Sequence, residues 1–342
     1  CNMSDRKPPV YLNNVRLLRT ANDSVEISWE SFEDSRTLSI YKGESPKALD
    51  YHTSVTCVKG KTLVQISGLN PDVRYYFELV PDQGSGVIVS ERRVPLEGSV
   101  NFRDLGGYRT LDGRRLRWGQ VFRSDNLGRL TDRDIKILRR MGIRQVCDFR
   151  TPAEVKKMPD RFPETNEGAY VHLPIKYGEY DPANTFERIK NGDVDWLTEE
   201  FMIKGYLRNV DRFTALWSTF FRIMVVSRNR PLVFHCTGGK DRAGVCAALI
   251  LLTLGVAEET VIEDHGLSNI YIADVLKRIY AQIKSYGVDP AKVAPYFTAP
   301  RSAIIALVEH IRKTYGSAED YLINQAGIEV KVINQLREDL LE

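Results

Sequence analysis

The short apolar run Leu232-Val233-Phe234 leads through a ten-residue loop, His235 to Gly244, into a second apolar stretch of helix length, Ala243 to Leu254. A buried strand feeding a buried helix in this way needs a sheet around the strand and a layer into which the helix can pack. That is the arrangement of an α/β domain. The apolar stretch is too short to cross a bilayer, and no run of about eighteen apolar residues occurs anywhere, so no helical membrane span is expected.

The surrounding chain follows the same alternation from about residue 96 onward. Thr131 precedes an apolar stripe at Ile135, Leu138 and Met141, with Asp134 as a capping-box partner and Gly142 as the stop. The β-rich run Ile143 to Phe149 meets Thr151-Pro152-Ala153-Glu154, in which threonine caps, proline takes the first helical position and glutamate closes the box. A strand around Tyr170–Leu173, helices over Trp196–Asn209 and Phe213–Val226, and a mainly helical stretch from Glu258 with a break at Tyr315-Gly316-Ser317 complete the pattern. Residues 96–342 are therefore expected to form one α/β domain with a largely parallel sheet flanked by helices.

Residues 10–95 differ. Val25-Glu26-Ile27-Ser28-Trp29, Thr37-Leu38-Ser39-Ile40-Tyr41, Thr62-Leu63-Val64-Gln65-Ile66 and Tyr75-Tyr76-Phe77-Glu78-Leu79 alternate with period two, separated by turn residues and without helical periodicity. A small all-β sandwich is expected, with Trp29 and Tyr75 in its core and Cys57 a buried or half-buried apolar residue. Residues 1–9 form a polar tether that begins at Cys1. A cysteine at a mature N-terminus resembles a processed bacterial lipoprotein. This gives the expectation of membrane attachment through acylated Cys1 at the cell envelope, with secretion as the other placement.

The chemistry is concentrated in His235-Cys236-Thr237-Gly238-Gly239-Lys240-Asp241-Arg242-Ala243-Gly244. Backbone N–H groups of a tight loop, together with the N-terminus of the helix that follows, favour an anion such as phosphate. The same setting favours a thiolate at Cys236, which can attack phosphorus. Arg242 can fold back and hold two phosphoryl oxygens with its planar fork. Thr237, Gly238, Gly239, Lys240 and Asp241 complete the phosphate-binding loop, the glycines allowing close approach of the backbone. His235 is expected to support the thiolate by hydrogen bonding to nearby backbone, and Lys240 to offer a second anionic contact. The five cysteines follow neither a disulfide spacing nor a C-x-x-C pattern, so neither a metal nor another cofactor is expected. The net charge of +3 gives no field suited to bulk nucleic-acid binding.

The loop resembles the H-C-x5-R signature of the protein tyrosine phosphatase superfamily. Asn101-Phe102-Arg103-Asp104-Leu105-Gly106-Gly107-Tyr108, Phe122-Arg123-Ser124, Asp148-Phe149-Arg150 and the Gly-Lys-Asp-Arg form of the loop are similar to the bacterial group that includes the secreted mycobacterial phosphatase of type B. The resemblance implies a phosphatase acting through a phosphocysteine. Phosphotyrosine is its first substrate class, and phosphoserine, phosphothreonine or inositol phosphates and lipids are alternatives; a catalytically weak phosphate-binding module is a further reading. Ala243 departs from the pattern, since the superfamily usually has serine or threonine there to aid breakdown of the phosphoenzyme. The general acid is expected at Asp148, which ends a strand as Cys236 does, ahead of Asp241; Asp181 and Asp195 are turn or helix-start residues. Leu69-Asn70-Pro71-Asp72-Val73-Arg74-Tyr75 resembles the fibronectin type III pattern, which implies a sandwich able to dock a protein partner.

Overall fold

The computed structural model describes residues 12, 14–30, 37–82, 84–162, 169–176 and 181–342. Cys1 and the tether to Pro9 lie outside the described residues. The chain divides into two compact units, Cys1–Val94 and Pro95–Glu342.

The first unit is all-β. Strands β1 (Arg16–Ala21), β2 (Ser24–Ser28), β3 (Thr37–Gly43), β4 (Leu49–Asp50), β5 (Thr56–Lys59), β6 (Leu63–Ile66), β7 (Tyr76–Pro81) and β8 (Val87–Ser90) form two antiparallel sheets. One has the order β1-β2-β6; the other has β4-β3-β7-β8, with β5 also on β3. Val25, Ile27 and Ile66 from the first sheet share a core with Leu38, Ile40, Phe77, Leu79 and Val89 from the second, which makes the unit a sandwich. Trp29 is buried in this core, whereas Tyr75 is only half-buried and packs against it. Cys57 is exposed, contrary to expectation, because the alternation of β5 turns Val58 inward and leaves Cys57 beside Ser39 on the outer face.

The second unit is built on a sheet of β9 (Arg103–Asp104), β10 (Val121–Ser124), β11 (Gln145–Asp148), β12 (Ala169–His172) and β13 (Leu232–His235), in the order β12-β11-β13-β10-β9. Only β9 is antiparallel; the other pairings are parallel. Helices α1 (Asp132–Arg140), α2 (Pro152–Lys157), α3 (Thr185–Lys190), α4 (Glu199–Arg212), α5 (Thr214–Val225) and α6 (Arg242–Thr253) alternate with or follow these strands. The C-terminal part adds α7 (Glu258–Tyr271), α8 (Ala273–Ser285), α9 (Pro290–Phe297), α10 (Arg301–His310), α11 (Ala318–Asn324) and α12 (Val330–Leu340). Both capping boxes form as the sequence dictates, Thr131 with Asp134 and Thr151 with Glu154. The apolar sequence of α6 is explained by its position: all but one of its residues are buried, and it is the centre around which sheet and helices pack. In the parallel ladder Asp148 lies opposite His235, so β11 and β13 end at one edge of the sheet, where such folds bind ligands.

Candidate active site

The loop from Cys236 to Arg242 is shaped by bonds to its carbonyl groups. The carbonyl of Thr237 accepts from the Asn126 amide at 3.1 Å, and that of Gly238 from Asn101 Nδ2 at 3.0 Å. One guanidinium nitrogen of Arg123 donates to the Gly239 carbonyl at 2.7 Å and to the Lys240 carbonyl at 3.3 Å. In a planar trans peptide the next N–H points opposite to the carbonyl. Holding these consecutive carbonyls from outside therefore turns the N–H groups of residues 238–241 toward the loop interior, where α6 adds the unspent N–H groups of its first turn.

The braces bring charge. Arg103 and Arg123, both fully buried, share Asp264, at 3.2 and 2.7 Å. Two cations against one carboxylate leave a positive balance behind the loop, which suits an anion in front of it. Arg103 also donates to Ser268 Oγ and the Asp264 carbonyl, and Asp104 accepts from the Gly106 and Gly119 amides. The Asn-Phe-Arg-Asp and Phe-Arg-Ser segments are thus the loop's framework.

Cys236 sits at the end of β13, 1% exposed. Arg242 opens α6, and its two terminal nitrogens grip both oxygens of Glu154 at 2.6 and 2.7 Å. Thr237 Oγ1 also donates to Glu154. Burial alone would raise the Glu154 pKa, but Arg242, Thr237 and the Thr151 amide outweigh it and bring it down to about 2. Its ionised carboxylate fixes the plane of the Arg242 fork. The sequence shows Glu154 only as a capping residue; its second role is fixed by a partner 88 residues away.

Asp148 lies within a buried ion-pair network. It is fully buried, it takes Arg150 through both oxygens at 2.7–3.0 Å, and it accepts from Tyr170 Oη at 2.8 Å. Burial would raise its pKa; His235 and Arg150 more than offset this and hold it near 2. The Asp148 carboxylate is thus closed from solvent and committed to the ion pair with Arg150. His235 Nε2 lies 2.9 Å from Asp160, and its Nδ1 lies 3.3 Å from the Cys236 carbonyl, so it contacts the backbone beside the thiol. Ligand atoms of Asp148, Asp160 and His235 cluster within 4.8 Å. Arg150 already bridges both carboxylates at 2.7 Å, which makes this an ion-pair network rather than a place for a cation.

Asp241, by contrast, is on the loop beside Arg242, with its side chain 23% exposed. Oδ2 takes the Lys240 ammonium at 2.6 Å and Oδ1 accepts from Tyr206 Oη at 2.9 Å. The Lys240 side chain is 8% exposed, and its ammonium lies over the Tyr296 ring, 5.5 Å from the centroid. Asp181 caps the short turn that follows it, and Asp195 is exposed, 3.8 Å from Lys292.

The glycines act differently from one another. Gly239 has φ +66°, and a Cβ there would lie 2.5–2.6 Å from the backbone of Ser124 and Asp125, so the close approach of that segment requires glycine. At Gly244 a Cβ would come within 3.0 Å of the His265 ring, while at Gly238 it would meet only the Lys240 side chain at 3.5 Å. Burial pushes the Cys147 and Cys246 thiols up, leaving them protonated and inert.

Residues 94–342 match the sequence profile of the tyrosine phosphatase family. The chain is 30% identical to a Cupriavidus necator protein classed as a tyrosine-protein phosphatase, over 67% of this chain and 82% of that one. It is also 30% identical to the triple specificity protein phosphatase PtpB of Mycobacterium tuberculosis, over 72% of this chain and 98% of that one. Among solved structures it is similar to the core catalytic domain of a PP-IP phosphatase of S. cerevisiae, with 13% identity, a TM-score of 0.25, and coverage of 48% of this chain and 88% of that one.

Proposed function

The chain belongs to the tyrosine phosphatase family and is a phosphoric monoester hydrolase, and from that premise we propose that it works through a phosphocysteine on Cys236, with Asp241 as general acid and phosphotyrosine as first substrate class. The observation that supports this reading is the set of captured carbonyls from Thr237 to Lys240, which leaves the opposite, N–H side of these peptides for an anion beside Cys236.

The Cys236 thiolate attacks phosphorus while Arg242, oriented by Glu154, and the loop N–H groups hold the phosphoryl oxygens; their grip tightens as charge spreads over those oxygens in the transition state. The ester bond breaks and the leaving oxygen takes the proton of Asp241. A water molecule then attacks the phosphocysteine, gives its proton to the Asp241 carboxylate, and inorganic phosphate leaves with the thiolate restored. Asp241 is preferred to Asp148 because it has solvent access at the loop and Asp148 has none.

Phosphotyrosine is placed first because the family whose profile the chain matches is that of the tyrosine phosphatases. The name of PtpB, a triple specificity protein phosphatase, supports a second reading in which this chain takes more than one class of phosphate ester. Turnover of a small aryl phosphate by wild type and Cys236→Ser tests the mechanism. The wild type is expected to turn over and the variant to lose activity by at least about a thousandfold; a variant retaining wild-type activity would overturn the reading.

A further inference from the structure

Two buried side chains that belong to none of the motifs converge on Asp241. Tyr206 of α4 and His265 of α7 are each 1% exposed. The Tyr206 hydroxyl lies 2.9 Å from Asp241 Oδ1 and 2.8 Å from His265 Nε2, with the two rings edge to face at 5.6 Å between centroids. The hydroxyl has one proton, so the direction of this chain of bonds is decided at the histidine.

Burial holds the His265 pKa well below its ordinary value, with Arg123, Arg103 and Lys240 pushing the same way and Asp264 alone opposing, so the ring is neutral and carries one N–H. Among the described residues its buried Nδ1 has no hydrogen-bond partner. An N–H there would be a stranded donor, costlier than a stranded lone pair on a ring that can place its proton at Nε2 instead. The proton is therefore on Nε2 and is donated to the Tyr206 oxygen, which leaves the Tyr206 proton for Asp241. Gly244 makes room for the ring, since a Cβ there would press on His265 Cδ2 at 3.0 Å.

From this geometry we infer that Tyr206, aligned by His265, is a positioning residue for Asp241 that holds its carboxylate form in place after the proton has gone to the leaving group. The inference rests on the assignment of Asp241 as general acid. With Lys240 on Oδ2 and Tyr206 on Oδ1, both oxygens face donors. Such donors favour the charge that develops as the acid gives up its proton, and they keep the carboxylate aimed for the water step that follows. Arg103 and Arg123 behind the loop, Asp264 on α7, and Lys240 and Arg242 within the loop are the charged groups around this assembly.

The test measures kcat/KM, which covers the steps through phosphoryl transfer, on p-nitrophenyl phosphate and on an alkyl phosphate with a poor leaving group, for wild type, Tyr206→Phe, Asp241→Asn and the double variant. Tyr206→Phe is expected to lose about ten- to hundredfold on the alkyl ester, the scale of one hydrogen bond to a charged group, and less than about threefold on the aryl ester, whose leaving group needs the acid least. Its alkaline limb should move to higher pH, because the carboxylate has lost a donor and the acid keeps its proton longer. On the Asp241→Asn background the same change should cost nothing further on either ester. His265→Gln, which can place an amide N–H where Nε2–H stood, should retain more alkyl-ester activity than His265→Leu. If Asp241→Asn shows no leaving-group dependence, the assignment of Asp241 falls and this inference with it. If Asp241→Asn shows it but Tyr206→Phe slows both esters equally, leaves the alkaline limb in place, or adds its loss to that of Asp241→Asn, the positioning role alone is refuted; equal activity of His265→Gln and His265→Leu refutes the alignment by His265.

Discussion

Replacing Glu154 with glutamine preserves the size of the side chain and removes its charge. Four donors now converge on the two carboxylate oxygens: two nitrogens of Arg242, the Thr237 hydroxyl and the Thr151 amide. A glutamine offers one oxygen and an NH2 group, so some of these donors would face another donor. Removing one partner of a buried ion pair costs about 3–5 kcal/mol. The proton affinity gives a second measure: the pKa falls from 4.5 to about 2 on folding, equivalent to about 3 kcal/mol of stability. The two agree near 3 kcal/mol, and Glu154 is only 6% exposed, so little is lost to solvent screening.

The sign follows from the direction of the shift. A carboxylate whose pKa is lowered by folding contributes its full stability above about pH 4.5 and loses it as pH falls toward 2. Urea unfolding at pH 7 should show Glu154→Gln about 3 kcal/mol less stable than wild type, with the deficit shrinking as both proteins are acidified to pH 3. Asp148, also held near 2, weakens both proteins over the same interval and cancels in the difference. Since Arg242 loses its fixed plane, kcat/KM should fall about a hundredfold, as expected for a misplaced phosphate clamp. Equal stability at pH 7, a deficit that does not shrink on acidification, or a kcat/KM within about twofold of wild type would refute the role given to Glu154.

Gly239→Ala combines a positive φ with a Cβ inside contact distance of the β10 backbone and should cost about 2 kcal/mol or more in urea unfolding, whereas Gly238→Ala, which meets only a flexible lysine stem, should cost less than about 1 kcal/mol; equal costs would show that Ser124 and Asp125 do not constrain the loop. Ala243 is fully buried at the start of α6, and the Thr237 hydroxyl is turned to Glu154. Ala243→Ser should therefore speed hydrolysis of the phosphoenzyme in single-turnover measurements, and an unchanged rate would mean that another group already supplies this help.

What could be read from the sequence was whatever depends on near neighbours. Thr131 with Asp134 and Thr151 with Glu154 are three residues apart, and a capping box needs nothing else. The apolar run of α6 and the period-two strands of the first unit likewise show in the order of residue types. Asp148 shows where such reasoning stops. Its place at the end of β11 was legible, but a strand end fixes where the backbone arrives and not which way a side chain is claimed, and Arg150, two residues on, together with Tyr170 and His235 takes the carboxylate into the interior. Lys240 illustrates the same limit: its position in the loop suggested a second anionic contact, while its ring partner Tyr296, 56 positions further along, could not be read from the loop.

The framework residues carry this reasoning one step further. Asn101, Arg103 and Arg123 touch the loop mainly at its carbonyls or through Asp264, so their side chains need not meet the phosphate to matter. An anion is held by N–H groups only if those groups are already aimed, and the aim is set from behind by whatever fixes the opposite face of each peptide. The segments in which the sequence resembles the phosphatase pattern, at residues 101–108, 122–124, 148–150 and 235–242, are accordingly spread along the chain. Asn101 and Arg123 hold carbonyls of the loop directly and the Phe149 carbonyl accepts from Arg242, so segments far apart in sequence bear on one loop.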